Sequence, residues 1–301
     1  MRRLLLVLLC AGILCGKISG QNPQSYQSPT LDSIMALRQT QVLAGLPRTI
    51  YSPGYQQKAE EYQALFSGAM KFYARQYHQP LELKMAILDS AQWVRERVPY
   101  GFLSYDSGWV MLAANTSYET FLRLYDIGQK APALEKFLKA HQLTPVQLLS
   151  SLYRVYSVHE FGHYFIIDAM RRQESDLWAG ELIATYISYA YFKSVGGKDL
   201  ENLELFSGWL IKNYQPQFRR IEDMDSLYAN MDVPNFKWLH CNIVLLCRDL
   251  YRKAGMGFID YYCETFAPGT DKKYSTREVL NLLSKYYPPL LDRWKAYTGG
   301  D

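Results

Sequence analysis

The chain of 301 residues has few cysteines and no cysteine motif. It contains 5 cysteines, of which Cys241, Cys247 and Cys263 lie outside the N-terminal apolar segment, and no two are spaced as Cys-x-x-Cys. This spacing predicts neither a cysteine-based zinc site nor a disulfide framework. We expect all three to be buried, small apolar residues. The alternative is a disulfide between Cys263 and one of the other two.

The chain also lacks a hydrophobic run long enough for a permanent membrane anchor. Residues 1–3 carry two arginines, residues 4–14 are apolar, and Gly20 is a small residue suited to cleavage. A charged start followed by about a dozen apolar residues is typical of a signal peptide. We therefore expect residues 1–20 to be removed and the protein to be exported, either to the periplasm or to the medium. The alternative is a lipoprotein acylated at Cys15.

An excess of charge of either sign is absent as well. Cleavage after residue 20 removes Arg2, Arg3 and Lys17 but no acidic residue, which lowers the formal net charge from +4 to +1. Proteins that bind nucleic acids or anionic membranes usually present a basic excess. We therefore predict no nucleic-acid partner and, after signal cleavage, no integral membrane anchor.

Against this background one motif stands out, His159-Glu160-x-x-His163. Two histidines four residues apart on a helix lie on one face and can bind the same metal ion, with Glu160 beside the open coordination position. Apolar residues recur at helical spacing over 146–170, and residues 144–147 (Thr-Pro-Val-Gln) are typical of a helix start. The histidines therefore lie on a buried face. Burying imidazole rings is costly unless they form hydrogen bonds or bind a cation, so this position favours a metal site.

A catalytic zinc site needs a third protein ligand. Asp168 would point away from the histidine pair if the helix continues, and Glu174 and Asp176 fall in a polar turn. Glu181 differs from these because it stands at the head of an apolar helix, residues 182–192, as the one carboxylate among aliphatic and aromatic residues. Glu181 is therefore the strongest candidate for the third ligand.

The motif and the segment from Asp176 to Tyr186, DLWAGELIATY, together resemble the active site of the gluzincin metallopeptidases. In their aminopeptidase branch, a segment close to DLWLNEGFASY carries the glutamate ligand. The resemblance implies that His159, His163 and Glu181 bind one Zn²⁺ ion. It also implies that Glu160 is the general base that activates water, and that Thr185 supports one of the ligands.

This chain departs from the aminopeptidase branch in two respects. Seventeen residues separate His163 from Glu181, one fewer than in the aminopeptidase pattern, and the sequence has no G-x-M-E-N segment for binding a free amino terminus. The resemblance therefore implies the superfamily rather than aminopeptidase activity.

A substrate-binding strand is expected upstream of the motif. Two short extended runs on either side of the turn at residues 106–108 predict a β-hairpin. In the gluzincins a strand at this point pairs through its exposed edge with the substrate backbone. The resemblance places the following residues there: Val110, Met111, Leu112, Ala113, Ala114 and Asn115. An ordinary hairpin within a sheet is the alternative.

His240 is a candidate for stabilising the oxyanion of the reaction. It lies beside Trp238 in an apolar helical stretch. A catalytic histidine could donate a hydrogen bond to the developing negative charge. The alternative is a hydrogen-bonded histidine of the core.

Periodic patterns predict the remaining elements. They indicate a strand over 81–88 and helices over 31–44, 55–77, 146–170, 182–192, 200–214, 237–254, 258–266 and 276–286. We predict an α+β fold with a small, mostly antiparallel sheet, a zinc-bearing helix and a mainly helical C-terminal lobe, with a cleft between the two lobes. The expected divisions are a signal peptide (1–20), a leader with a short helix (21–54), a gluzincin-like catalytic domain (55–195) and the helical lobe (196–301).

The predicted function is zinc-dependent hydrolysis of peptide bonds in a peptide or protein substrate, outside the cytoplasm. Two alternatives remain. One is a non-catalytic binding protein that retains a peptidase fold, and the other is a zinc hydrolase of a non-peptide amide.

The first prediction concerns export. Mass spectrometry of the mature protein should give Gln21, or its cyclised form, as the first residue, because Gly20 completes the cleavage site. An acylated Cys15 at the N terminus would contradict this and would place the protein on a membrane surface.

Overall fold

The structure is a computed structural model that describes residues 31–36, 38–94, 103–171, 177–224, 233–266 and 274–298. The expected signal peptide lies outside these ranges. Within them the chain has an α+β fold with a five-stranded sheet and a mainly helical C-terminal part, which confirms the predicted fold class. Among the described helices, none combines the length and apolar character needed to cross a membrane.

The sheet is mixed rather than mostly antiparallel. Its strands are β1 (Gln41–Leu43), β2 (Arg48–Tyr51), β3 (Lys84–Leu88), β4 (Ser104–Asp106) and β5 (Trp109–Ala113), arranged in the order β1-β2-β3-β5-β4. The outer pairs are antiparallel, whereas β2–β3 and β3–β5 are parallel. Helix α2 (Gln56–Tyr77) connects β2 to β3, and a helical crossover of this kind returns the chain in the same direction. The expectation of a mostly antiparallel sheet was therefore wrong.

The N-terminal segment also differs from its prediction. Helix α1 (Leu31–Ala36) stops well short of residue 44, and Val42 pairs with Ile50 in the sheet. Strand pairing overrides the weak helical preference of this stretch, as tertiary contacts commonly do. Because β1 and β2 belong to the same sheet as β3, the sheet continues across the predicted boundary between residues 54 and 55.

The predicted hairpin is confirmed. Asp106 pairs with Trp109, and the two residues between them, Ser107 and Gly108, have φ values of 49° and 81°. Positive φ at both turn positions is the geometry that matches the twist of a two-residue hairpin.

Nine helices are described after the sheet. They are α3 (Tyr118–Leu124), α4 (Ala131–Ala140), α5 (Pro145–Tyr164), α6 (Leu177–Val195), α7 (Lys198–Asn213), α8 (Val233–Ala254), α9 (Gly257–Thr265), α10 (Thr276–Tyr286) and α11 (Leu290–Thr298). Of these, α3, α4 and α11 were not predicted from the sequence. One hydrophobic cluster extends from Tyr51 beside the sheet to Trp294 in α11. The region around the sheet and the C-terminal helices therefore share one hydrophobic core.

Helix α5, which carries the motif, begins where the sequence predicts. The hydroxyl of Thr144 accepts a hydrogen bond from the Gln147 backbone N–H at 3.1 Å, and the Gln147 side chain accepts one from the Thr144 backbone N–H at 2.8 Å. Such reciprocal capping satisfies backbone donors that the first helical turn leaves unpaired. At its other end α5 runs directly into a π-helical turn, Phe165–Ala169. Turns of this type occur frequently at functional sites.

The three cysteines of the helical region are buried, as predicted. Cys241 and Cys247 lie on α8 and Cys263 on α9, and no disulfide joins them. Burial raises the pKa of the Cys241 thiol to about 12, so this side chain stays neutral.

Helices α5 and α6 pack tightly against each other at Gly162, inside the motif. A Cβ atom added at this position would lie 2.6 Å from the backbone oxygen of Ala184 and 2.7 Å from its Cα. These are backbone atoms, so only a shift of a whole helix could relieve the overlap. The absence of a side chain at Gly162 therefore sets the distance between the two helices.

The second prediction tests this close approach. Gly162→Ala should lower the free energy of unfolding by about 1–3 kcal/mol, the usual range for overpacking, and should also weaken metal binding. Gly208→Ala is the matched control, because Gly208 lies within α7 with no atom within 4 Å of an added Cβ. The control should gain about 0.5–1 kcal/mol from the better helix former. Thermal unfolding measures the stability of both variants. Equal stability of the two would contradict the tight contact at Gly162.

Candidate metal centre

Three side chains from two helices meet at the centre of the structure. His159 and His163 project from one face of α5, with ring centroids 4.7 Å apart, and Glu181 projects from α6. The two helices lie side by side, joined through the contact at Gly162. His159, His163 and Glu181 form a group whose ligand atoms lie within 4.8 Å of one another and could hold a metal ion.

The spacing of the three side chains fits a single ion. Nε2 of His159 lies 3.0 Å from Nε2 of His163 and 3.2 Å from Oε2 of Glu181. Nε2 of His163 lies 3.7 Å from the other carboxylate oxygen of Glu181, Oε1. Ligands placed 2.0–2.1 Å from an ion at tetrahedral angles are about 3.3 Å apart. The distances between the side chains are therefore close to those that one tetrahedral ion requires.

The groups around Glu181 keep its carboxyl group ionised, the form that binds a cation. Its side chain is only 9% exposed, and burial by itself raises the pKa of a carboxyl group. The hydrogen bond from His159 and the nearby imidazoles of His163 and His240 outweigh burial, so the pKa of Glu181 falls well below its usual range. Glu181 is therefore an ionised carboxylate in a buried position, which is what a third metal ligand requires.

Thr185 supports the first histidine, in the place where the resemblance puts such a residue. It lies one helical turn beyond Glu181, and its hydroxyl is 3.0 Å from Nδ1 of His159. A partner at Nδ1 fixes the orientation of the ring and leaves Nε2 for a metal. The same hydroxyl lies 2.9 Å from Nε2 of His240, so Thr185 joins the two histidines.

His240 occupies a supporting position rather than the oxyanion position. Its ring is 2% exposed, packs 5.0 Å from the ring of Tyr156 and 4.9 Å from the ring of His159, and directs Nε2 to Thr185. An oxyanion donor must face the reacting carbonyl, whereas this nitrogen faces the hydroxyl behind the ligand. The structure therefore favours the alternative, a hydrogen-bonded core histidine, over the expected catalytic role.

Glu160 lies next to the ligands without being one of them. It is partly buried, and burial raises the pKa of its carboxyl group although His159 and His163 act in the opposite direction. Of the three ligands, His163 has the most exposed side chain, at 14%. Solvent therefore reaches the centre from the side of Glu160 and His163.

The expected substrate strand does not offer an open edge along its first half. Strand β5 lies between β3 and β4, so the backbone of Val110 and Met111 is paired on both sides. Beyond the end of β4, the N–H of Ala113 donates to the hydroxyl of Tyr153 at 3.1 Å. The expectation for Val110, Met111, Leu112, Ala113, Ala114 and Asn115 as an edge strand is wrong over this paired part, because the hairpin partner β4 covers it.

Asp168, an alternative ligand in the sequence, points elsewhere. It is exposed in the π-helical turn and accepts a hydrogen bond from the hydroxyl of Tyr105. The other two alternatives, Glu174 and Asp176, lie outside the described residues. Among the described carboxylates, Glu181 is the one that joins the histidine pair.

The structure also brings Lys237, a residue not predicted from the sequence, to this centre. Lys237 lies on α8, one turn before His240, and its charge influences both Glu160 and Glu181. The signal in the sequence is local: a single lysine lies among apolar residues, three positions before His240.

Comparison of the chain with protein families, with curated proteins and with solved structures finds no match in any of the three. The chemistry of this centre must therefore be argued from its own residues and their geometry.

The third prediction tests the ligand set. Loss of a residue that supports a metal ligand typically lowers metal affinity about 10–100-fold. Glu181→Ala removes one of the three candidate ligands themselves, so it should reduce zinc affinity by more than this. Asp168→Ala is the matched control, because it removes a nearby carboxylate that faces away from the histidines. Competition with a fluorescent zinc chelator measures both affinities. A larger loss in the control would show that the wrong carboxylate has been assigned.

Proposed function

We propose that this protein is a zinc-dependent metallopeptidase of the gluzincin type. The observation that carries the proposal is the group formed by His159, His163 and Glu181, with ligand atoms within 4.8 Å of one another, and Glu160 adjacent to His159 in the sequence. Two histidines and one glutamate form the ligand set of several zinc peptidases, in which the fourth position stays open for water or substrate.

The ligand set also supports zinc as the metal. Imidazole nitrogens suit zinc, copper, iron and nickel, whereas calcium and magnesium prefer sites made entirely of oxygen ligands. When bound here, zinc would polarise the scissile carbonyl and lower the pKa of bound water to about 7.

Each residue of the site then has a distinct task. His159, His163 and Glu181 hold the ion, and the Thr185 hydroxyl keeps the ring of His159 in position. Glu160 accepts a proton from the attacking water and donates it to the leaving amine, the role of a general base followed by a general acid. A partly buried carboxylate beside the ligands suits this role because it can reach the water without occupying a coordination position.

The proposed location is outside the cytoplasm. The support is the sequence of residues 1–20, with its charged start, apolar run and small final residue. The substrate class that follows is a peptide or protein available in the periplasm or the medium.

The fourth prediction separates catalysis from metal binding. Glu160→Gln should leave zinc content and thermal stability unchanged but lower turnover by about 10²–10⁴-fold, the usual contribution of general acid–base catalysis. The matched control is Glu201→Gln, the same chemical change on the exposed face of α7, which should retain full activity.

The assay is cleavage of a mixed peptide library followed by mass spectrometry, with and without chelation and zinc restoration. Loss of metal from the Glu160→Gln variant would show that Glu160 is a ligand rather than the base. Zinc-loaded wild-type protein that cleaves no peptide would contradict the proposed function and leave the binding protein or the non-peptide hydrolase.

A further inference from the structure

Helix α8 passes along the metal centre and contributes two residues to it. His240 reaches the buried side, with Nε2 2.9 Å from the hydroxyl of Thr185 and 3.8 Å from Oε2 of Glu181. Lys237 lies three residues earlier, and side chains three apart on a helix are neighbours on one face. The helix face that supports the ligands therefore also carries a cation.

Two aromatic rings hold the ammonium group of Lys237. Its Nζ lies 5.4 Å from the ring centroid of Tyr156 and 5.9 Å from that of Phe236, within the range of cation–π attraction. Tyr156 precedes Glu160 by one turn of α5, and its ring also packs 5.0 Å from that of His240, so the cation lies beside the centre where α5 and α8 meet. Lys237 and Glu160 are both only partly buried.

Lys237 differs from Arg154 and Lys84, two other partly buried cations, in having no carboxylate partner among the described residues. Arg154 forms ion pairs with Glu61 and Asp199, and Lys84 forms one with Asp32. Lys237 forms no ion pair with any described residue, although its charge interacts at longer range with Glu160 and Glu181. A partly desolvated cation without a counter-ion is costly, and an anion that enters the site would remove this cost.

We propose that Lys237 binds a carboxylate of the substrate, so that the enzyme prefers peptides with an anionic group close to the scissile bond. This inference rests on the proposed function. The carboxylate belongs either to the C terminus of a peptide or to an acidic side chain, and both present the same chemistry to an ammonium group.

A carboxylate fits this position better than the oxyanion of the reaction does. An oxyanion donor must lie about 3 Å from the reacting oxygen, which is itself adjacent to the metal ligands. Lys237 forms no ion pair with Glu160 or Glu181, although its charge acts on both. Its ammonium group therefore lies beyond contact distance of these carboxylates, where a neighbouring part of the substrate would lie.

The test compares peptide mixtures that differ only in charge. Two pairs of hexapeptide mixtures are used. The members of the first pair end in a C-terminal acid or a C-terminal amide. Both members of the second pair have amidated C termini, and they carry either glutamate or glutamine at one fixed position. The proteins are zinc-loaded wild type, Lys237→Gln, Lys237→Arg and Lys253→Gln. Lys253 is the matched control because it lies on the same helix in an exposed position.

The wild type should cleave the anionic member of at least one pair with a kcat/KM about tenfold or more above its neutral counterpart, mainly through KM. Lys237→Gln should lose this preference, Lys237→Arg should retain it, and Lys253→Gln should match the wild type. The pair that responds identifies the carboxylate as terminal or side-chain. Three results would overturn the proposal. They are a wild type without the preference, a Lys237→Gln variant that keeps the preference, and a Lys237→Gln variant that loses kcat equally on all peptides.

A binding measurement separates this proposal from the proposed function. Zinc-loaded Glu160→Gln and the double variant with Lys237→Gln are equilibrated with the same mixtures, and the retained peptides are identified by mass spectrometry. Retention of anionic peptides that depends on Lys237, in a protein whose wild type cleaves nothing, would support the carboxylate site and refute the peptidase. Cleavage by the wild type without such retention would support the peptidase and refute the carboxylate site.

Discussion

The contact between α5 and α6 at Gly162 governs the geometry of the whole centre. Gly162 stands between the two histidines of the motif, and Ala184, which it touches, stands between Glu181 and Thr185 in the sequence. A side chain at this point would separate the helices by pushing backbone against backbone. The ligand from α6 and the hydroxyl that supports His159 would then both move away from α5. Because metal ligation tolerates only small displacements, the distance set by one glycine decides whether three side chains act as one site.

A second constraint is electrostatic. Glu181 is a carboxylate in a largely apolar interior, and His159, His163 and His240 surround it. These imidazoles can lower the cost of the buried charge only by hydrogen bonding or by taking up protons. Burial together with neighbouring imidazoles lowers the pKa of His240 far below its usual range, so this ring stays neutral. A divalent cation between these side chains would compensate the carboxylate without protonating any of them, and would link the stability of this interior to metal binding.

The sequence predicted those parts of the structure that depend on neighbours along the chain. The spacing of His159 and His163 and the capping of α5 at Thr144 are local features, and both are confirmed. Strand β1 was missed because it exists only through pairing with β2, which no local periodicity records. Lys237 was missed for a related reason: its proximity to Glu160 arises from the packing of separate helices, and the two are distant in sequence.

The side chains around the centre differ in exposure. His159, Thr185 and His240 form a buried hydrogen-bonded series. Glu160 and Lys237 are partly exposed, as is the ring of His163. Under the proposed function, a peptide that approaches a metal ion held here would meet a carboxylate and an ammonium group of opposite charge. The carboxylate of Glu160 would serve proton transfer, and the ammonium group of Lys237, which lies over the rings of Tyr156 and Phe236, would favour one orientation of an anionic substrate.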